Sequence, residues 1–485
     1  MRNYLSKILN KDKYLLLGHG TFFMLLIFSI VFVYERVLFM DSGYQLFEII
    51  QRCGFQQNVN RYSMFLAELL PLAAIHLDLP LKVVALLYSL SFTLIAYGFW
   101  LLTTYVLKNR YVGITMLFTM IAIRATFFHA ISETFQLMFF AAFLYAWLTS
   151  QFAEQKEIIK KVRYYFIALL MMALCVFIHP VALFFLIFIA GIYILNKSYT
   201  IKQKMVISLL TIAILVVKYF TIVPGSHDTD YNMSFGDFFG HCRYIHYLSS
   251  TDWFLKHLAE WYCAPLLLLI IALVHYVRKK QWLNFLFFGG FCFSFMVITL
   301  VLYHLSDSTI GRERSFLPLM FFCVLPFMRD VFPTISIRWN RLFFIILTCL
   351  IIVGFVRIAI AAKPNTIRLK KIDEITAFAR KENQKKLVMD KELSNTFIPY
   401  NWAIGFESMM YSAMINPDST VNFYIEENLN AVKGDARFFK EDLFMAVPFW
   451  TFWEIKYLNP YYFRLPQQPA KELIIKDGKY AIKDL

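Results

Sequence analysis

Apolar residues fall along this chain in long blocks separated by short polar interruptions. Eleven blocks stand out: Tyr14 to Met40, then 82–107, 112–127, 134–150, 165–178, 181–195, 205–222, 263–277, 283–303, 315–328 and 342–362. Several approach the roughly 20 residues with which a helix crosses a bilayer. A further apolar stretch, 64–79, is too short and holds Glu68, Pro71, His76 and Asp78, so it reads as an interfacial or re-entrant segment. Beyond residue 362 the pattern changes. Lys386–Asp390 reads as a strand, and Glu472–Ile475 and Tyr480–Ile482 flank Asp477-Gly478 as a hairpin. Trp402, Phe449, Trp450, Trp453 and Tyr457 to Tyr462 put aromatic bulk between them. The pattern predicts a polytopic α-helical membrane protein: about eleven transmembrane helices over residues 1–362, then a small external α/β C-terminal domain over 363–485.

One stretch departs from this rhythm. In VYERVLFMDSGYQLFEIIQRCGFQQNVNR, Val33 to Arg61, the first block ends in a single carboxylate, Asp41, and a short amphipathic helix follows. Leu46, Ile49, Ile50 and Cys53 fall at i, i+3, i+4 and i+7 and share one face. Glu48 and Arg52 pair at i, i+4 on the other side. Such a helix directly after a membrane exit should lie flat at the interface and hold Asp41 at the membrane surface. The bland alternative is that Asp41 or Ser42 merely caps it.

Composition supports the membrane class. The chain is 59% hydrophobic, with 52 phenylalanines and 28 tyrosines, and only 17% charged, below the roughly 25% of soluble domains. The first block is longer than a signal-peptide core and no small-residue cleavage site follows, so it reads as a retained helix. Seven cysteines, mostly within apolar blocks, form no disulfide framework or CxxC pair. A net charge of +15 would suggest nucleic acid in a soluble protein. Here the excess is topological. The six segments that the positive-inside rule assigns to the cytosol carry +2 or +3 each and together account for all of it. That rule places the amino terminus in the cytosol and residues 363–485 outside; the expected location is a bacterial inner membrane, with no nucleic-acid partner.

Candidate chemistry then clusters on the outer side. Asp41 is first. The turn Arg124–Glu133, with His129 inside it, is second; its bland reading is that Ser132 caps the next helix and Glu133 favours that helix's positive end. Arg124 sits within an apolar block on the side where basic residues are disfavoured, so it should have a partner. Gly311-Arg312-Glu313-Arg314 is third. Two arginines at an outer helix entrance make a phosphate clamp, unless they only form a rim ion pair with Glu313. Arg61 could serve the same anion. His179 and His304, at outer connections, complete the substrate-binding candidates. The loop 223–262, with His227, Asp228, Asp230, Asp237, His241 and His246, matches no metal site and reads as solvated. No Walker loop, Rossmann glycine pattern, zinc spacing or nucleophile elbow occurs.

The pattern resembles the GT-C superfamily of integral-membrane glycosyltransferases. The resemblance rests on Phe39-Met40-Asp41-Ser42-Gly43-Tyr44 at the exit of the first span, on Glu133 in the second outer loop, and on about eleven spans followed by an external α/β tail. It covers the architecture of residues 1–362; the tail resembles no family. It implies a polyprenyl-phosphate-linked sugar donor in the membrane lipid and inverting transfer to an acceptor on the outer face. Asp41 would be the catalytic base, with Glu133 as the second acidic position. Arg124, Arg312 and Arg314 would stabilise the leaving phosphate, and His129 or Glu133 would orient donor or acceptor. Asp41 stands alone, without the neighbouring acidic residue many members have. A divalent metal is compatible with the family, but nothing in the sequence indicates one. A transporter or assembly factor for surface polysaccharide is the other class, and it would place ionisable groups near mid-membrane.

Overall fold

The computed structural model describes residues 2–56, 61–130, 132–150, 152, 157–222, 233, 235–304, 309–391, 398, 403–426, 429, 435–447 and 451–485. His227, Asp228, Asp230, Trp402, Phe449 and Trp450 lie outside them. The first part of the chain is helical: α1 (Arg2–Val31), α2 (Val33–Val37), α3 (Asp41–Arg52), α4 (Phe65–His76), α5 (Leu81–Leu101), α6 (Arg110–Ala122), α7 (Glu133–Leu148), α8 (Ile158–Val176) and α9 (Ala182–Leu195). It continues with α10 (Ile201–Thr221), α11 (Phe235–Arg243), α12 (Ser249–His257), α13 (Cys263–Arg278), α14 (Trp282–Leu302), α15 (Thr309–Phe316), α16 (Pro318–Pro326) and α17 (Ile337–Lys381).

Among the described residues, seven helical stretches are long and apolar enough to cross a membrane: Lys13–Val31, Leu81–Val106, Ile201–Thr221, Ser249–Arg278, Trp282–Leu302, Ile310–Thr334 and Ile337–Lys381. The remaining apolar blocks also form helices, but α6, α7 and α9 have 13, 16 and 14 residues. The first turns of α8 carry Lys160, Lys161 and Arg163. The helix α6 stops early because the chain turns out at Ile123, which is extended, into a 3-10 turn over Ala125–Phe128. The protein is thus a helical membrane protein with a small sheet region near its carboxyl end. Helices α6, α7 and α16 form its centre and are buried along almost their whole length. The outer helices expose large apolar side chains such as Phe166, Leu209, Phe220 and Phe293. In water such patches would be a liability, whereas in lipid they are the solvated surface.

The sheet region begins without a break from the helices. The 45 residues of α17 rise about 68 Å at ~1.5 Å each, against a hydrocarbon core of about 30 Å. The position expected to divide membrane region from tail, 362/363, therefore lies inside a continuous helix, which also accommodates Pro364. The far end of α17 buries Ile372, Ile375 and Ala379 in the same core as the sheet residues Leu387 and Phe423. The strands are β1 (Lys386–Asp390), β2 (Asn422–Glu426), β3 (Leu443–Val447), β4 (Thr451–Glu454), β5 (Lys471–Lys476) and β6 (Lys479–Lys483). Four of them form a mixed sheet in the order β2-β1-β5-β6, with β1 parallel to both neighbours. β3 and β4 pair separately. The expected hairpin is β5–β6, and its turn holds Asp477 and Gly478 at φ +50° and +73°, the left-handed pair that a type I′ turn needs.

The helix α18 (Ile404–Ala413) packs on β2 and, from its other side, on α3. The helix expected to lie flat at the interface thus carries the sheet region on it. Phe47 of α3 meets Phe406, Trp453 and Phe463 with ring centroids 5.6, 6.1 and 5.4 Å away. Asn459 donates to Gln51 Oε1 (2.8 Å) and to the Ile50 carbonyl (3.1 Å). Tyr462 reaches the Leu79 carbonyl at 3.0 Å. Both faces of α3 are covered, so Glu48 is buried with Leu46, Ile49 and Ile50 while its ion-pair partner Arg52 stays exposed. Cys53 lies past the helix end, left-handed at φ +47° and exposed, and does not extend the apolar face.

Candidate functional site

Asp41 is the first residue of α3, and the turn before it is held from the sheet domain. Met40 has φ +47°, a left-handed conformation uncommon for a side chain of this kind. Its N–H donates to Glu407 Oε1 on α18 at 2.6 Å. Glu407 is fully buried and pairs with Arg368 of α17, which also donates to the Leu38 carbonyl at 3.2 Å. Burial pushes the Glu407 carboxyl above the usual carboxylate range, and the Arg368 guanidinium opposes that rise. Gly43 completes the fit, since a Cβ there would come within 3.2 Å of Glu407 Cγ. The N-cap position of α3 falls on Met40, with Asp41 and Ser42 as the first two helical residues.

The Asp41 carboxylate instead meets His129, Oδ2 to Nε2, at 2.9 Å. A carboxylate only accepts, so Nε2 carries the hydrogen. The Asp41 side chain is 41% exposed and His129 only 3%, so the imidazole backs the carboxylate and leaves it open to approach. His129 follows the 3-10 turn Ala125–Phe128, and Glu313 of α15 fixes that turn. The buried Glu313 carboxylate accepts from the backbone N–H groups of Arg124 (2.6 Å), Ala125 (3.1 Å) and Thr126 (2.9 Å). It ties two segments together and is not a partner at the rim.

Glu133 opens α7. Arg61 Nη1 lies 2.5 Å from its Oε1 and Arg314 Nη1 3.8 Å from its Oε2. Ser132 precedes the helix without capping it through its side chain. A cavity of about 390 Å³ collects these groups, with Asp41, Arg61, Glu133, His179 and Arg314 all in its wall. His179 accepts the Val181 N–H at Nδ1 (3.1 Å). Thr134, Thr299, Tyr303 and Ser315 add hydroxyls, while Phe184, Phe295, Ile298 and Leu302 add apolar lining.

No protein-family model, curated protein or solved structure matches the chain.

Four sequence candidates do not line the cavity: His129, which stands behind Asp41, and three others. Arg124 places its guanidinium 5.1 Å from the Trp261 ring, a cation–π partner. Arg312 donates to Ser249 Oγ at 3.0 Å. His304 bonds the Val301 carbonyl through Nδ1 (2.7 Å) and lies 4.4 Å from the His241 ring. Among the described residues no group of three His, Cys, Asp or Glu could hold a metal ion, and all seven cysteines, Cys53 and Cys242 included, are free.

Sequence reasoning missed Glu407, Arg368 and Arg36. Arg36, buried in α2, donates to Ser89 Oγ (2.9 Å), the Ser89 carbonyl (3.1 Å) and the Phe127 carbonyl. It lines the same small void of about 20 Å³ as His129. A cation inside an apolar block signals a partner, the test applied to Arg124, and would have flagged Arg36 too. Nothing in the sequence pairs residue 407 with residue 40.

Proposed function

We propose that the chain is a membrane glycosyltransferase that moves a sugar from a polyprenyl-phosphate-linked donor to an acceptor hydroxyl at the outer membrane surface. The observation that carries this reading is the cavity. It joins a part-exposed carboxylate, two guanidinium groups that meet Glu133, and apolar side chains. A lipid phosphosugar has the matching parts: an anionic phosphate, a polar sugar and an apolar tail. The apolar helices act as eleven spans, the shorter ones crossing within a core screened by their neighbours. The amino terminus is cytosolic and the sheet domain external, in a bacterial inner membrane.

In this mechanism the acceptor oxygen attacks the anomeric carbon as its proton passes to Asp41. The carbon–phosphate oxygen bond breaks on the opposite face, which inverts the configuration, and the phosphate leaves with the bonding pair. Arg61 and Arg314 take up that developing charge in a partly water-excluded site. Glu133 holds the two guanidinium groups apart and oriented. His129 holds the carboxylate of Asp41 through Nε2–H.

Asp41→Asn tests the assignment. The amide keeps the shape and can accept from His129, but it cannot take a proton. Transfer from purified lipid-linked donor should fall on the order of 10²–10⁴-fold, the weight of a positioned base, with the melting temperature unchanged. Near wild-type turnover would remove the catalytic assignment and favour a transporter or assembly factor.

A further inference from the structure

A larger cavity lies away from this site. It is a groove of about 810 Å³ between α1 and α17, bounded by Lys13 to Phe28 on one helix and Phe344 to Ala359 on the other. Each wall advances fifteen residues, or about 22 Å at ~1.5 Å per residue. One leaflet of hydrocarbon is about 15 Å deep, so the groove accommodates an extended acyl chain. Along it the walls offer almost nothing polar. The hydroxyls of Thr21 and Thr348 are spent on their own helices, at 2.8 Å from the Leu17 and Phe344 carbonyls. Gly20 opens the floor, with nothing within 4 Å of an added Cβ.

One end differs. Lys13 sits at the mouth, its ammonium 3.4 Å from the Asn340 carbonyl and 5.1 Å from the Tyr14 and Phe344 ring centres. Arg341 stands within electrostatic reach of it. Among the described residues no carboxylate pairs with either cation. Trp339, exposed two residues before Arg341, is the type of residue that marks the level of lipid headgroups. An apolar slot with these two cations at one end has the charge and shape of one ligand class.

We propose that this groove is a binding site for an anionic phospholipid, with an acyl chain between α1 and α17 and the phosphate on Lys13 and Arg341. It does not depend on the glycosyl-transfer reading, because the groove and the Asp41 cavity share no lining residue.

The test uses the full chain in detergent, offered phosphatidylglycerol or phosphatidylcholine with identical acyl chains, with retained lipid counted by native mass spectrometry. Retention should favour phosphatidylglycerol by about fivefold or more, as one basic contact near a lipid surface provides. The pair Lys13→Gln and Arg341→Gln should erase the preference, whereas Lys13→Arg with Arg341→Lys should keep it, separating charge from folding. Gly20→Leu should reduce retention of both lipids by filling the groove. Equal retention by the wild type, or a preference that survives the double glutamine variant, would overturn the proposal. So would displacement of phosphatidylglycerol by an equimolar polyprenyl phosphate, which would assign the groove to the donor lipid.

Discussion

Arg312 and Arg314 are two positions apart on one helix and face different partners. Arg314 turns to Glu133 in the cavity, and Arg312 turns outward to Ser249. From sequence they form one clamp, because a motif read as a string does not say which side of a helix faces the site. Their separation gives a test. Arg314→Ala should weaken binding of a lipid-linked donor at least tenfold in a titration with purified protein, and Arg314→Lys should restore only part, since the planar fork is lost. Arg312→Ala should leave donor affinity within about twofold. Equal losses in the two alanine variants would contradict the cavity as the donor site. The same limit explains Glu313, whose buried carboxylate serves three backbone N–H groups of a turn nearly 190 residues earlier. By contrast Asp41, Arg61, Glu133 and His179 were legible, because each is a polar residue at the edge of an apolar block, where the membrane leaves few other reasons for it.

At the scale of elements, α3 was legible as an amphipathic helix but not as a covered one. Its apolar face repeats at helical spacing, yet what lies on its other side is a domain more than 300 residues away. The grip of Glu407 and Arg368 on the Leu38–Met40 turn makes the sheet domain part of the site. Removing one member of a buried ion pair costs about 3–5 kcal/mol because the other is left uncompensated. Glu407→Ala should therefore lower the melting temperature and reduce transfer. Glu407→Gln keeps an acceptor for the Met40 N–H and should be milder in both. If Glu407→Ala melts and turns over like the wild type, the grip contributes nothing to placing Asp41. The strands β1, β5 and β6 were legible because short apolar runs and an Asp-Gly turn are local signals; β2 depends on a parallel partner 36 residues away and carries no such mark.

Across the whole molecule, the distribution of basic residues predicts an orientation that reporter fusions can check. Fusions at Lys204 and Lys280 should report from the cytosol and one at Asp484 from outside, and a cytosolic Asp484 would overturn the proposed topology. Apolar block positions were readable throughout. Helix ends followed the blocks to within two residues at α7 and α9, but not at α6, which stops at Ala122 where the chain turns out at the extended Ile123.

The bond between Met40 and Glu407 joins residues 367 positions apart. A ribosome releases the first of these early and the second only when most of the chain is already in place. Until α18 has emerged and docked, the left-handed turn before Asp41 lacks the carboxylate that holds it. A chain interrupted during synthesis, or cut before residue 407, would carry every group that lines the cavity and still lack the hold on the turn before Asp41. If the proposed transfer holds, competence for it arrives late in synthesis, after residue 407.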